Sequence, residues 1–128
     1  MRDHPLLPYL VIALGGALGA NTRYLINLLA VRWLGATFPY GTLFINITGS
    51  LVLGFFLTAA TERLELDPLW RLFVATGFLG GYTTFSAYTY ETLVLLREGA
   101  YGPALVYLLG SVLGGLAGSA LGMVAAQR

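Results

Sequence analysis

The chain contains no cysteine and no lysine, and only one histidine. The lack of cysteine excludes disulfides, thiolate nucleophiles and thiolate-held metals. His4 sits in a short polar tail, where a solvated side chain is the simplest reading, so the body of the chain has no imidazole for catalysis or metal binding. Charge is scarce as well. Charged residues make up 10% of the 128 positions, where a soluble domain carries about 25%. Seven arginines against six acids leave a formal net charge of +1, which offers nucleic acid no basic surface. The apolar runs hold no pair of carboxylates. Gly77, Gly80 and Gly81 lie inside such a run, where a phosphate-cradling loop has no place. An enzyme is the weakest functional class.

What the chain does have is apolar surface: 57% of residues are hydrophobic and the mean hydropathy is +0.76. The length allows one domain, and four apolar runs divide it. The pattern predicts an all-α integral membrane protein, a single membrane domain over residues 1–128, with transmembrane helices at about 8–29, 42–60, 69–96 and 102–126. The first run is too long for the apolar core of a signal peptide, about 7–15 residues. Trp33, Tyr40 and Trp70 lie near the ends of runs, at the depth of lipid headgroups.

Within these runs the small and polar residues are ordered. Gly15, Gly19 and Ala20 in the first run permit close approach to another helix. Arg23, beyond them, either snorkels to an interface or points at an aqueous vestibule. In the second run Thr42, Asn46, Ser50 and Gly54 fall at successive four-residue steps and share a helix face. Gly110, Gly114, Gly118 and Gly122 make a similar row in the fourth, with Ser111, Gly115 and Ser119 beside it.

The third run is the irregular one. As a continuous helix, residues 69–96 would be about 42 Å long at about 1.5 Å per residue, more than a hydrocarbon core of about 30 Å. Arg71 and Arg97 are equidistant from residue 84. The run Gly80-Gly81-Tyr82-Thr83-Thr84 therefore predicts a helix broken over 80–84 near the bilayer midplane, as in discontinuous transporter helices.

Asn46, Ser and Thr hydroxyls and the electropositive ring edges of Phe85 and Tyr88 suit a small anion stripped of water. Alternatively, the rings pack and the hydroxyls bond to carbonyls four residues back. Glu91 is an ionisable group inside a span, either a proton relay or a carboxylate held by hydroxyls to orient its helix. Arginine placement is nearly balanced. Arg2, Arg63, Arg71 and Arg128 fall on one side, Arg32 and Arg97 on the other, which permits insertion both ways and an antiparallel homodimer.

Several stretches together resemble the CrcB/Fluc fluoride channel family. Gly41-Thr42-Leu43-Phe44-Ile45-Asn46-Ile47-Thr48-Gly49-Ser50 is similar to its second-helix signature. Gly77-Phe78-Leu79-Gly80-Gly81-Tyr82-Thr83-Thr84-Phe85-Ser86 is similar to its third, and Gly19-Ala20-Asn21-Thr22-Arg23-Tyr24 to the end of its first. Tyr107, Ser111 and Gly115 match the spacing of its fourth. The resemblance implies a passive, fluoride-selective channel of the microbial inner membrane that lowers cytoplasmic fluoride, working as a dual-topology homodimer in lipid. It implies that Asn46, Phe85, Tyr88, Tyr107 and Ser111 line the fluoride path. Thr42, Ser50, Glu91 and Arg23 would support it. The carbonyls of Gly80 and Thr83 would hold a structural sodium ion at the dimer interface. Tyr88 departs from the usual phenylalanine, and Gly115 from a frequent serine. The competing reading is a small multidrug-type cation/proton antiporter, which needs a deep carboxylate, usually in the first helix, where this chain has none. A non-transporting assembly subunit would explain the glycine rows and leave the third-run break unexplained.

Overall fold

The computed structural model describes residues 3–128. Arg2, one of the arginines in the orientation count, lies outside the described residues. Among the described residues every regular element is helical. The first helix, α1 (Leu7–Leu34), runs past its expected end near residue 29. Asn21 and Thr22 do not interrupt it. Their side chains donate to the Ala17 and Leu18 carbonyls at 2.6 and 2.7 Å, so their polar atoms are absorbed within the helix. Termination waits for Gly35, whose φ of 86° is left-handed and whose amide donates to the Val31 carbonyl.

α2 (Tyr40–Glu62) follows. The third helical rod is in pieces. α3 (Pro68–Arg71) is started by Asp67, which accepts the Leu69 amide at 2.9 Å, with proline at the first helical position. Arg71 donates to the Ala60 carbonyl at 2.7 Å and ties this start to the end of α2. Leu72–Leu79 is wound as a wider π-helix, which nothing in the residue pattern marks. α4 (Gly80–Tyr82) then closes the first half. Thr83 and Thr84 are extended, with φ/ψ of −81°/157° and −152°/112°. α5 (Phe85–Arg97) begins with Thr84 as its cap, whose hydroxyl accepts the Ala87 amide at 3.2 Å. α6 (Tyr101–Gln127) completes the chain. The predicted interruption over 80–84 is thus confined to two residues. Gly80 and Gly81 remain helical, and the Thr83 amide and hydroxyl both donate back to the Leu79 carbonyl at 3.0 Å.

Two pairings build the bundle. α2 lies along α6, and α1 lies along the π-helical segment and α4. Both rest on missing side chains. A Cβ on Gly19 would run into the Phe78 carbonyl, and one on Gly122 into the Leu51 carbonyl. Helices this close are held by backbone-level van der Waals contact, the mode that works where no hydrophobic drive exists between helices.

α2 and α6 are long and apolar enough to cross a membrane. They are not core helices of a soluble fold, because they leave large apolar side chains bare. Phe44 of α2 is 54% exposed, and Leu113 and Leu116 of α6 are 64% and 66% exposed. Water-soluble monomers rarely expose so continuous an apolar surface.

Candidate functional site

The extended pair is held from α2. Asn46 accepts the Thr84 amide on its Oδ1 at 2.8 Å and donates from Nδ2 to the Thr84 carbonyl at 3.0 Å. One side-chain amide therefore satisfies both backbone groups of one extended residue, as a neighbouring strand would. Further along α2, the Thr48 and Tyr82 hydroxyls are 2.9 Å apart. The threonine that breaks the helix and the tyrosine before it are both pinned to the same rod.

Beside this splint, α2, α5 and α6 line an open pocket of about 410 Å³. Asn46, Ser50, Phe85, Tyr88, Ser111 and Ser119 contribute to its wall. Most hydroxyls near it are taken up by backbone. Ser50 donates to the Asn46 carbonyl at 2.7 Å and Ser119 to the Ser50 carbonyl at 3.4 Å. Ser111 differs: its Oγ is buried and has no hydrogen-bond partner among the described residues. An unpaired buried hydroxyl costs about 1–3 kcal/mol, so its retention calls for a reason.

Two rings complete the wall. Phe85 is 77% exposed, and its centroid is 5.8 Å from that of the buried Tyr88. The Tyr88 hydroxyl donates to the Leu108 carbonyl at 2.6 Å. That donor is spent on α6.

A second cluster surrounds Glu91. Thr42 donates to its Oε2 at 3.2 Å and Tyr107 to its Oε1 at 3.4 Å. Thr42 and Tyr107 are buried, and Glu91 borders another cavity of about 390 Å³ beside the 35–39 connection. The neighbouring Thr92 instead donates to the Tyr88 carbonyl at 2.8 Å. Tyr107 sits outside the first cavity, its ring edge-on to Tyr88 at 5.2 Å. Arg23 reaches from α1 to the Gly81 carbonyl, with its Nε 3.1 Å away. It therefore serves the end of α4 directly.

A profile of the CrcB-like protein, Camphor Resistance (CrcB), family matches residues 10–123. The chain belongs to this family. Relatives in it carry the name fluoride-specific ion channel FluC. The one from Acidobacterium capsulatum is 45% identical over 122 residues, covering 95% of this chain and 98% of the relative. The one from Solibacter usitatus is 44% identical over 122 residues, covering 95% and 100%. A relative from Sulfurihydrogenibium is 53% identical over 98 residues, covering 77% and 79%.

Within this CrcB-like chain the structure brings Asn46, Ser50, Phe85, Tyr88 and Ser111 to one cavity. It gathers Thr42, Glu91 and Tyr107 into another group. Ser119 was legible as part of the Ser111–Gly115–Ser119 row but not as cavity lining. Thr84 carries the splint, and only the identity of its partner, from a distant helix, reveals that.

Proposed function

We propose that this chain is a fluoride-selective channel subunit, multi-pass in the cell inner membrane, and that it passes fluoride down its gradient to relieve cytoplasmic fluoride toxicity. The observation that carries the reading is the unpaired, buried hydroxyl of Ser111, a residue that lines the same pocket as two aromatic rings. An anion there receives an O–H donor and the electropositive ring edges. These replace water without a fixed positive charge that would trap the ion. The name those relatives carry, fluoride-specific ion channel, supports the same reading. The antiporter alternative falls with the family assignment, and α1 offers no acid for it.

The assembly is an antiparallel, dual-topology homodimer in lipid, with the third helix interrupted near the bilayer midplane. The near-even placement of arginine supports two orientations. An exposed strip through Thr76 and Gly80 gives a second copy a close surface, since a Cβ on Gly80 would meet only the Ala75 carbonyl, at 3.6 Å.

The carbonyls of Gly80 and Thr83 fit a structural sodium ion. In a continuous helix the donors for these oxygens would be the Thr84 and Ala87 amides. Those amides go instead to Asn46 at 2.8 Å and to the Thr84 hydroxyl at 3.2 Å. Two neutral oxygens freed of their helical donors suit a hard monovalent cation. Bound there, sodium supplies the positive charge that these oxygens otherwise lack.

The deciding measurement is fluoride efflux from liposomes holding the pure protein, with chloride as control. Fluoride should leave fast and chloride should stay. No fluoride flux, or chloride flux as large, overturns the reading. Tyr88→Phe refines it. Because the hydroxyl faces the α6 backbone, fluoride flux should stay within about threefold of the parent, while stability falls by about 0.5–1.5 kcal/mol in a denaturation series.

A further inference from the structure

We propose that Asn46 is a positioning residue for the cation site as well as a wall of the anion cavity, because it sets the tilt of the single peptide plane joining Thr83 to Thr84. This inference rests on the channel reading above and deepens it.

The peptide between Thr83 and Thr84 is trans, as all are among the described residues. In a trans peptide the carbonyl of one residue and the amide of the next lie in one plane and point in opposite directions. The Thr84 amide points at Asn46 Oδ1, 2.8 Å away. The Thr83 carbonyl must therefore point away from Asn46 and from the cavity that Asn46 lines. The second bond, from Asn46 Nδ2 to the Thr84 carbonyl at 3.0 Å, holds the following peptide plane, so both planes that meet at Thr84 Cα are tied to one side chain. Rotating the plane would break this part-buried hydrogen bond before it moved the oxygen.

The other restraints on Thr83 do not fix its carbonyl. Its amide and hydroxyl both return to the Leu79 carbonyl at 3.0 Å. Its methyl packs where a Cβ on Gly49 would collide with it. These hold the residue on α4 and leave ψ free, and ψ turns the carbonyl. Asn46 supplies the missing restraint from α2. One side chain thus joins two ion sites of opposite sign through one rigid peptide unit.

The test compares three variants of the full-length protein, purified as the assembled form. The readouts are sodium-dependent thermal stabilisation, titrated against N-methylglucamine, and fluoride efflux from liposomes. Asn46→Leu keeps the volume and loses both bonds. It should raise the sodium midpoint about tenfold, the loss expected for about 1.4 kcal/mol of lost hydrogen bonding. Asn46→Asp keeps an oxygen for the Thr84 amide. It should hold the sodium midpoint at or below the parent value while its negative charge suppresses fluoride flux. Ser111→Ala should lower flux and leave the sodium midpoint unchanged, since that hydroxyl bonds to nothing at the break.

If Asn46→Leu stabilises with sodium like the parent, the proposal is overturned and the channel reading stands. If the parent shows no sodium response, the proposal fails together with the cation site, whatever the fluoride flux. Should Asn46→Leu fail to assemble, Asn46→Asp still decides. A sodium midpoint raised as far as tenfold there, with the acceptor retained, overturns the plane-tilt account. Amide hydrogen exchange over residues 83–87 adds a readout free of transport. It should quicken in Asn46→Leu and stay near the parent rate in Asn46→Asp and Ser111→Ala.

Discussion

Ser111→Ala protein in liposomes should pass fluoride about 10- to 100-fold more slowly than the parent, and it should be no less stable. Both halves come from one atom. A hydrogen bond to a charged group contributes about 1.5–3 kcal/mol, and each 1.36 kcal/mol is a factor of ten. On the channel reading proposed above, removing this donor should therefore cost one to two orders of magnitude in flux. The hydroxyl has no partner among the described residues, so its loss breaks no bond and relieves an unsatisfied polar group. A denaturation series should show stability unchanged or slightly raised. A stability loss above about 1 kcal/mol would mean that the hydroxyl is structural. Normal flux in a stable variant would remove Ser111 from the ion path.

Gly122→Ala and Gly110→Ala should differ sharply, although both glycines belong to the same four-residue row. At Gly122 a Cβ would collide with the Leu51 carbonyl and lie 2.7 Å from the Phe55 nitrogen. Those atoms are helix backbone and cannot swing aside, so α6 must move off α2. Overpacking costs about 1–3 kcal/mol even where side chains can yield, and here the loss should reach about 3 kcal/mol or more, with poor assembly on size exclusion. Gly110 has nothing within 4 Å of its Cβ position. Its alanine variant should stay within about 0.5 kcal/mol of the parent. Equal effects at the two positions would show that the row does not pack as described.

The contrast within that row shows what the residue pattern could and could not reveal. Periodicity placed the glycines on one face of α6, and composition placed the four helical rods. Neither ranks Gly110 against Gly122, because the difference lies in how α2 crosses α6. The Thr42–Asn46–Ser50 stripe was legible as a face for the same reason. Its partners were not: Thr42 meets Glu91, Asn46 meets Thr84 and Ser50 returns to its own helix. The hydroxyl alternatives also divide by residue. Thr48, Ser50, Thr83 and Thr92 bond to carbonyls three or four residues back, and Ser111 does not. Spacing is blind to that choice, which rests on the neighbours each side chain meets. The π-helical stretch left no mark at all, since Leu72–Leu79 reads as ordinary apolar helix.

The cut at Thr83 and Thr84 also has an electrostatic consequence. A helix carries the equivalent of about half a positive elementary charge at its N-terminus and about half a negative one at its C-terminus. α4 ends at the cut and α5 begins there, so poles of opposite sign meet within two residues. The positive pole opens beside the cavity that Thr84 and Phe85 line. The negative pole gathers the Gly80–Tyr82 carbonyls, and Arg23 offsets part of it at Gly81. The cavity wall holds no Asp, Glu, Arg or His. On the proposed channel reading, any pull on an anion there would come from macrodipole and polar groups alone, a field that does not titrate across the physiological pH range.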